Sequence, residues 1–256
     1  MKRHIVFFIL ILTLFTNWSF GQNTIEAKDK VLVMDFESAY VKARKVQIYL
    51  PKEYEENPSK HFPVLYMQDG QNLFDPQTAY KGRAWELDKS SRNAIKNNEI
   101  SPCIIVGISN VDTRFFEYFP QKATVYLTKD DYVLMEQGGL EQASDTSNYL
   151  ADNYLKFLVN ELKPFIDKNY RTKTEAASTA IGGSSSGALI SLYAICEYPQ
   201  IFGQAACIST HWPVLFDNEF ISPSESIRTY LKHKLPDPKT HRIYFDHGTL
   251  AIDRFY

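Results

Sequence analysis

The sequence predicts a doubly wound α/β domain, in which a mostly parallel sheet carries helices on both faces. Three observations indicate this class. From residue 31 onward, short β-rich runs alternate with longer amphipathic stretches. Two of the short runs, FPVLYM and CIIVGI, are almost continuously apolar, which is typical of strands buried in a parallel sheet. The length of 256 residues suits one such domain.

The first half of the domain supplies three strands before its first long helix. Residues 31–36 and 45–50 are β-rich runs separated by a short turn, which predicts an antiparallel pair. Residues 62–67 and 103–108 contain the two apolar runs and are predicted to be buried strands. Between them, residues 83–96 are predicted to be helical, with apolar positions at Trp85, Leu87, Ala94 and Ile95.

The second half begins with a polar, aromatic-rich stretch over residues 110–147, which is longer than ordinary loops. A helix is predicted over residues 148–169 because its apolar residues fall on one face, and Pro164 is expected to bend its last turn. The remaining segments alternate regularly between the two element types. Predicted strands cover residues 176–181, 204–208 and 242–245, and predicted helices cover residues 186–197 and 220–234.

The N-terminal residues are typical of a signal peptide over residues 1–21. Lys2 and Arg3 precede an apolar run, IVFFILILTLF, that is too short to span a bilayer. Ser19 and Gly21 have the small side chains that a signal peptidase requires, so we expect cleavage before Gln22. A buried helix or a retained anchor are the alternatives. The expected product is periplasmic or secreted, has no membrane span, and forms one domain over residues 22–256.

The composition excludes several classes of function. The 28 Lys+Arg residues nearly balance the 30 Asp+Glu residues, so the chain has no positive electrostatic field that would favour binding to nucleic acid or to an anionic membrane surface. No metal-ligand spacing, dinucleotide fingerprint or phosphate loop is present in the sequence, and we expect no cofactor. The three cysteines, Cys103, Cys196 and Cys207, lie in apolar segments and are predicted to be buried, with a Cys196–Cys207 bridge as an alternative.

The strongest local motif is Gly183-Ser184-Ser185-Ser186-Gly187, which matches the pattern G-x-S-x-G. An apolar strand ends just before it, and an apolar helix, ALISLYAICEY, begins just after it. Such a tight turn lifts Ser185 above the sheet edge, where the N–H of Ser186 at the helix N-terminus can stabilise an oxyanion. Ser185 is therefore the candidate nucleophile. The alternative is a Gly/Ser-rich turn that binds phosphate or has no function.

A second motif, MQDGQNLFD, directly follows the buried strand FPVLYM. Gly70 lets the chain turn over the site, and the N–H of Gln71 is predicted to be the second oxyanion donor beside that of Ser186. The alternative is an ordinary Asp-Gly turn in which Asn72 caps a helix.

Several segments together resemble the putative-esterase family of the α/β-hydrolase superfamily, which includes enterochelin-esterase-like, feruloyl-esterase-like and S-formylglutathione-hydrolase-like enzymes. They are YMQDGQNLFD, NVDTRFFEYFP, YLKFLVNELKPFIDKNYRT, IGGSSSGALISLYA and ACISTHWP, and the resemblance runs from about Lys45 to the C-terminus. It implies an α/β-hydrolase fold and an esterase activity but leaves the ester class open. The family elbow reads G-x-S-M-G-G, whereas Ser186 and Ala188 stand here, which implies a smaller and more polar pocket floor.

The resemblance also implies a triad acid after the last strand. The family's strand, D-x-G-T turn and downstream acid match Asp253, with Asp246 as the alternative. A histidine follows the acid in this fold, but none follows Asp253. His211 or His247 could act as the base instead, although the chain order argues against both. We therefore expect the chain to continue beyond Tyr256 to a catalytic histidine, so that a C-terminal part of the domain is missing.

Two further segments are predicted to line the pocket. Arg114, Glu117 and Tyr118 lie beyond the carboxyl end of a central strand, and the resemblance suggests that they frame the substrate entrance. The alternative is an internal Arg–Glu pair that holds a long loop. His211 and Trp212 follow the next strand after the nucleophile helix, and Trp212 offers a platform for an aromatic or sugar ring.

Together these residues predict an exported serine esterase that hydrolyses a small carboxylic ester through an acyl-enzyme on Ser185. The expected partner is a small-molecule or glycan-linked ester, for example a siderophore ester or a feruloylated or acetylated glycan. Two alternatives share the same residues. One is a non-catalytic binding protein that lacks the triad histidine, and the other is an acyltransferase that excludes water.

Overall fold

The computed structural model describes residues 28–212 and 222–249. The predicted signal peptide and the predicted acid Asp253 lie outside these ranges. The described strands form one seven-stranded sheet with the order β1-β2-β4-β3-β5-β6-β7. They are β1 (Lys30–Phe36), β2 (Arg44–Leu50), β3 (Val64–Gln68), β4 (Ile104–Ile108), β5 (Thr179–Ser184), β6 (Gln204–Ile208) and β7 (Arg242–Asp246).

The sheet is antiparallel at one edge and parallel elsewhere. β1 pairs with β2 and β2 pairs with β4 in antiparallel fashion, whereas all neighbours from β4 to β7 run parallel. The predicted antiparallel start and parallel remainder are thus confirmed. Because parallel strands end at the same edge of a sheet, the turns after β3, β4, β5 and β6 meet on one side of the molecule.

Helices cover both faces of the sheet. They are α1 (Glu53–Glu56), α2 (Leu87–Lys96), α3 (Arg114–Tyr118), α4 (Lys129–Gln137), α5 (Ala151–Lys156), α6 (Lys163–Asn169), α7 (Ser186–Glu197) and α8 (Ser222–Lys234). Among the described residues, no helix combines the length and the apolar character needed to cross a membrane.

The hydrophobic core has two parts because successive strand residues face opposite sides of the sheet. Tyr66 and Val106 belong to the larger part, which also contains buried residues of α5, α7 and α8. Met67 and Ile105 belong to the smaller part, against which Leu87 of α2 packs. This arrangement confirms the predicted doubly wound α/β class.

The first long helix begins at Leu87 rather than at residue 83 as predicted. The backbone before the helix makes hydrogen bonds to another segment instead. The N–H of Trp85 donates to the carbonyl of Asn72 at 2.8 Å, and the N–H of Leu87 donates to the carbonyl of Leu73 at 2.9 Å. Glu86 has a φ of 51°, which separates this segment from the helix. The hydrogen bonds anchor the chain to the turn that follows β3.

The strand predicted over residues 176–181 is displaced along the chain to β5 (Thr179–Ser184). Residues Ala176–Ser178 form a 3-10 turn instead. The cause is a close approach of Gly203, whose N–H donates to the carbonyls of Ala176 and Thr179 at 3.0 and 3.1 Å. A Cβ on Gly203 would lie 2.4 Å from the Ala176 oxygen, so only glycine fits there.

The long stretch over residues 110–147 is not the plain loop that its composition suggests. It contains α3 and α4, and α4 begins with a reciprocal capping box between Thr128 and Asp131. Downstream, the helix predicted over residues 148–169 consists of α5 and α6 joined by a π-helical turn, Phe157–Leu162, just before Pro164. Pro164 cannot donate a hydrogen bond to the carbonyl four residues earlier, and a wider turn just before it accommodates this loss.

All three cysteines are free thiols, so the Cys196–Cys207 bridge is not formed. Cys196 and Cys207 are buried as predicted, whereas Cys103 is only partly buried. Burial raises the pKa of Cys103 to about 11 and that of Cys196 to about 12. Burial, reinforced by the nearby Cys196, raises the pKa of Cys207 to about 12 as well. Each thiol therefore stays protonated across the physiological pH range.

We expect the three thiols of the folded protein to resist Ellman's reagent at pH 8. With a pKa near 11, only about one Cys103 side chain in a thousand is a thiolate at that pH, and the thiolate is the reactive form. The measurement is the absorbance released before and after unfolding in guanidinium chloride. Rapid reaction of any one thiol at pH 7 in the folded protein would contradict the burial that raises these pKa values.

Candidate active site

The serine motif forms a sharp turn between β5 and α7. Ser185 has φ 58° and ψ −125°, a conformation that costs a non-glycine residue about 1–3 kcal/mol. Its N–H donates to the carbonyl of Ile208 at 3.0 Å, and its carbonyl accepts from Ala188 at 3.0 Å. The backbone is therefore held from both sides, by β6 and by the first turn of α7. Strain maintained in this way is typical of a nucleophile elbow.

The flanking glycines of this turn are required by packing. A Cβ on Gly183 would lie 2.7 Å from the backbone of Gly187 and 2.9 Å from the Cβ of Gln68. A Cβ on Gly187 would lie 3.0 Å from the same Gln68 atom. Since Gln68 ends β3, the first turn of α7 packs directly on the carboxyl end of the neighbouring strand.

The second predicted motif forms a tight turn directly after β3. Asp69 adopts the left-handed conformation with φ 55°, and residues Gly70–Asn72 form one 3-10 turn. A Cβ on Gly70 would lie 2.5 Å from the backbone of Gly107 in β4, so the turn crosses over that strand. Asn72 does not cap a helix, because its Oδ1 accepts the N–H of Tyr80 at 2.8 Å.

The turn after β3 and the serine elbow lie at the same sheet edge because β3 and β5 are adjacent and parallel. Gln71 is fixed there by two contacts: its Oε1 accepts the N–H of Asn110 at 3.1 Å, and its carbonyl accepts the hydroxyl of Thr78 at 2.7 Å. Ser186 is the first residue of α7, where N–H groups have no partner within the helix. The predicted oxyanion donors Gln71 and Ser186 thus flank neighbouring strand ends.

The predicted entrance residues have different environments. Arg114 is half-buried, and its Nε and Nη2 donate to the two carboxylate oxygens of Asp69 at 2.8 Å each. Glu117 is fully buried and accepts two hydrogen bonds of 2.8 Å from Arg44. The internal Arg–Glu pair is therefore present, but its arginine is Arg44 and not Arg114. Glu117 supports the loop from inside and does not reach the entrance.

Tyr118 lines a small cavity beside the elbow rather than an open surface. Its neighbours there are Ser186 and Leu189 of α7, Phe115 and Phe119 of the long stretch, and His211. Tyr118 is fully buried, and burial, reinforced by Tyr154 and Asp69, raises the pKa of its hydroxyl well above the usual value. At the elbow, Ser186 stands at the position that is methionine in the family pattern, and it faces this mainly aromatic space.

The turn after β6 and the end of β7 border a second cleft. Its lining includes Trp212, Phe245, Asp246 and His247, and the Trp212 and Phe245 rings lie 5.9 Å apart. Asp246 uses a carboxylate oxygen to accept the N–H of Ser209 at 3.0 Å, which ties β7 to the turn after β6. His247 is exposed, and its Nδ1 lies 3.0 Å from the carbonyl of the adjacent Gly248.

Sequence reasoning missed three residues that organise the site. Asp69 and Asn110 connect the turn after β3 with the long stretch, and Arg44 holds Glu117 beneath it. The sequence gives one clue to Asp69, because its neighbour Gly70 indicates a turn there. Within residues 28–212 and 222–249, no group of three or more His, Cys, Asp or Glu side chains is arranged to hold a metal ion.

The mostly parallel sheet, the serine elbow after β5 and the turn after β3 define an α/β-hydrolase fold. A family model described as putative esterase matches residues 38–253. The chain therefore belongs to the putative-esterase family, as the sequence motifs suggested.

Three known proteins illustrate the similarity. The chain is 30% identical over 170 residues to YbbA of Bacillus subtilis (strain 168), a match that covers 66% of this chain and 58% of YbbA. It is 24% identical over 210 residues to an endo-1,4-beta-xylanase/feruloyl esterase of Xylanibacter ruminicola, covering 80% of this chain and 22% of that protein. An IroE-like serine hydrolase from Shewanella oneidensis superposes with a TM-score of 0.58 at 20% identity, covering 84% of this chain and 60% of that chain.

Proposed function

We propose that the protein is a serine esterase that hydrolyses a small carboxylic ester through an acyl-enzyme on Ser185. The observation that carries this proposal is the strained backbone of Ser185 at the β5–α7 turn, with φ 58° and ψ −125°. Two hydrogen bonds and two packed glycines maintain that strain, which a turn without a function would not need. Membership in an esterase family supports the same reaction class.

Each nearby group has a defined role in the proposed reaction. The hydroxyl of Ser185 attacks the acyl carbonyl, and the N–H groups of Gln71 and Ser186 stabilise the oxyanion. The proton passes to a histidine that Asp253, outside the described residues, orients, and the histidine returns it to the alcohol oxygen as the ester C–O bond breaks. Water then releases the acid from the acyl-enzyme.

The substrate proposal follows from the environment of the elbow. The cavity beside the elbow that Phe115, Tyr118 and Phe119 line has a volume of only about 10 Å³, which is too small for a ring. The cleft bordered by Trp212 and Phe245 has a volume of about 420 Å³ and presents two aromatic surfaces. Such surfaces fit an acyl or alcohol group that carries an aromatic or sugar ring. A siderophore ester and a feruloylated or acetylated glycan are therefore the substrates to test first. The N-terminal sequence supports a location in the periplasm or outside the cell.

The direct test is labelling of the full-length protein with a fluorophosphonate probe, followed by peptide mass spectrometry. We expect one adduct, on Ser185, because only a serine with an oxyanion hole and a base reacts quickly. Ser184→Ala is the matched control and should label normally, since Ser184 is the neighbouring serine at the end of β5. Absence of an adduct would favour a non-catalytic binding protein, and hydrolysis without transfer to added alcohols would exclude an acyltransferase.

A further inference from the structure

Asp69 holds an unusual position between the two candidate oxyanion donors. Its carboxylate accepts the Nε and Nη2 hydrogen bonds of Arg114, both 2.8 Å long, and one from the Asn110 side chain at 2.6 Å. The Asp69 side chain is only 7% exposed. A buried carboxylate with three such donors fixes the backbone that carries it.

The backbone in question is the turn of Gln71. Asp69 has the left-handed φ of 55° and directly precedes Gly70–Asn72. The N–H of Asn110 donates to the Gln71 side chain at 3.1 Å, so the segment that contains Asn110 and Arg114 grips the turn at two points. The direction of the Gln71 N–H therefore depends on this segment.

The charge of Asp69 also bears on the elbow. Its Oδ2 lies 3.2 Å from the place that a Cβ of Gly187 would occupy, so the carboxylate lies against the first turn of α7. An unpaired negative charge there would oppose an oxyanion held by the adjacent Ser186 N–H. Burial opposes the charge on Arg114, but the hydrogen bonds and charge of Asp69 outweigh it and raise the pKa of Arg114. Arg114 therefore remains positively charged beside Asp69.

We propose that Arg114 is a positioning residue and not a substrate-binding residue: through Asp69 it orients the Gln71 turn and compensates the carboxylate beside the oxyanion. This inference rests on the proposed function, because it takes Ser185 as the nucleophile. In this interpretation, the arginine of NVDTRFFEYFP supports catalysis through Asp69 and does not contact the substrate.

The first test compares the kinetics of Arg114→Gln and Arg114→Lys in the full-length protein. We expect Arg114→Gln to lower kcat by about 10- to 100-fold. Complete removal of one oxyanion donor lowers kcat by about 10²- to 10³-fold, and a misplaced donor should cost less. KM should stay within about twofold, because no substrate contact is lost. Arg114→Lys keeps the positive charge but not the two parallel hydrogen bonds to Asp69, so its kcat should lie between those of the wild type and Arg114→Gln.

Lys42→Gln is the matched control. Lys42 donates two hydrogen bonds, of 2.7 and 2.8 Å, to Asp112 on the same segment, but this pair is exposed. Its removal should leave kcat and KM unchanged. A rise in KM at constant kcat in Arg114→Gln would instead show a substrate-binding role and overturn the proposal.

The double variant Asp69→Asn/Arg114→Gln tests the charge effect. Asn tolerates the left-handed backbone at this position, so the change mainly removes the carboxylate charge. We expect kcat to recover by about fivefold or more over Arg114→Gln, because no negative charge then opposes the oxyanion. A lower kcat than in Arg114→Gln would refute charge compensation.

Hydrogen exchange separates this inference from the proposed function. The amides of residues 68–74 should exchange faster in Arg114→Gln than in the wild type, and remain unchanged in Lys42→Gln. If the wild type neither hydrolyses esters nor forms an adduct at Ser185, the proposed function fails, while exchange still decides whether Arg114 holds the turn. Unchanged exchange over residues 68–74 in Arg114→Gln overturns the positioning role whatever the activity.

Discussion

Replacing Ser185 with alanine is expected to lower kcat/KM for a p-nitrophenyl ester by at least about 10³-fold, because removal of the nucleophile leaves only oxyanion stabilisation and binding. The stability of the variant should hardly change. Alanine has the same Cβ as serine and must adopt the same backbone, with φ 58° and ψ −125°. The measurement is steady-state hydrolysis together with urea unfolding of the same preparation.

A second substitution at this position isolates the strain. Ser185→Gly should be as inactive as Ser185→Ala but more stable than it, because glycine adopts a positive φ without steric cost. The expected gain is on the order of 1 kcal/mol, since glycine also increases the entropy of the unfolded chain. If Ser185→Ala retains full activity while Ser184→Ala loses it, the assignment of the nucleophile is incorrect.

Glu117→Ala is expected to lower the free energy of unfolding by about 3–5 kcal/mol, because it leaves the Arg44 charge buried without its partner. Both side chains of this pair are 0% exposed, and two hydrogen bonds of 2.8 Å join them. The hydroxyl of Thr113 donates to the same carboxylate at 3.0 Å. The Arg44 guanidinium also lies 5.2 Å from the ring centres of Tyr154 and Phe157.

Urea unfolding of two further variants tests the cause of this effect. Arg44→Met/Glu117→Leu removes both buried charges and should recover most of the loss, since apolar pairs replace buried ion pairs well. Asp112→Asn breaks the exposed pair with Lys42 and should cost less than about 1 kcal/mol. A similar loss in Glu117→Ala and in the double variant would mean that packing, and not the buried charge, sets the stability.

The parts of the fold that follow from local pattern were predictable from sequence. The apolar runs of β3 and β4 and the serine elbow are each encoded by contiguous residues, and the structure has them close to the expected positions. The start of β5 was not predictable, because it depends on Gly203, which is distant in sequence. The N–H of Gly203 donates to the carbonyl of Ala176, which therefore does not take part in strand pairing.

The ion pairs of the site show a different limit. Arg114, Glu117 and their partners were all visible in the sequence, but a sequence does not say which acid pairs with which base. Glu117 pairs with Arg44, 73 positions away, and Arg114 with Asp69, 45 positions away. Both choices depend on the order of strands in the sheet, which places the segment after β4 beside the end of β3 and above the start of β2.

The position of β3 in the sheet also has a kinetic consequence. It lies between β4 and β5, and Val64 pairs with Thr179, more than a hundred positions later in the chain. Pairings so distant in sequence are slow to form, since the entropy of closing a long loop must be overcome first. At a synthesis rate of about 5–20 residues per second, several seconds pass between the synthesis of β3 and that of β5, its second neighbour. The elbow that follows β5 is thus completed in a late folding event, so chains arrested before it lack Ser185 at the site even where the turn of Gln71 has formed against β4.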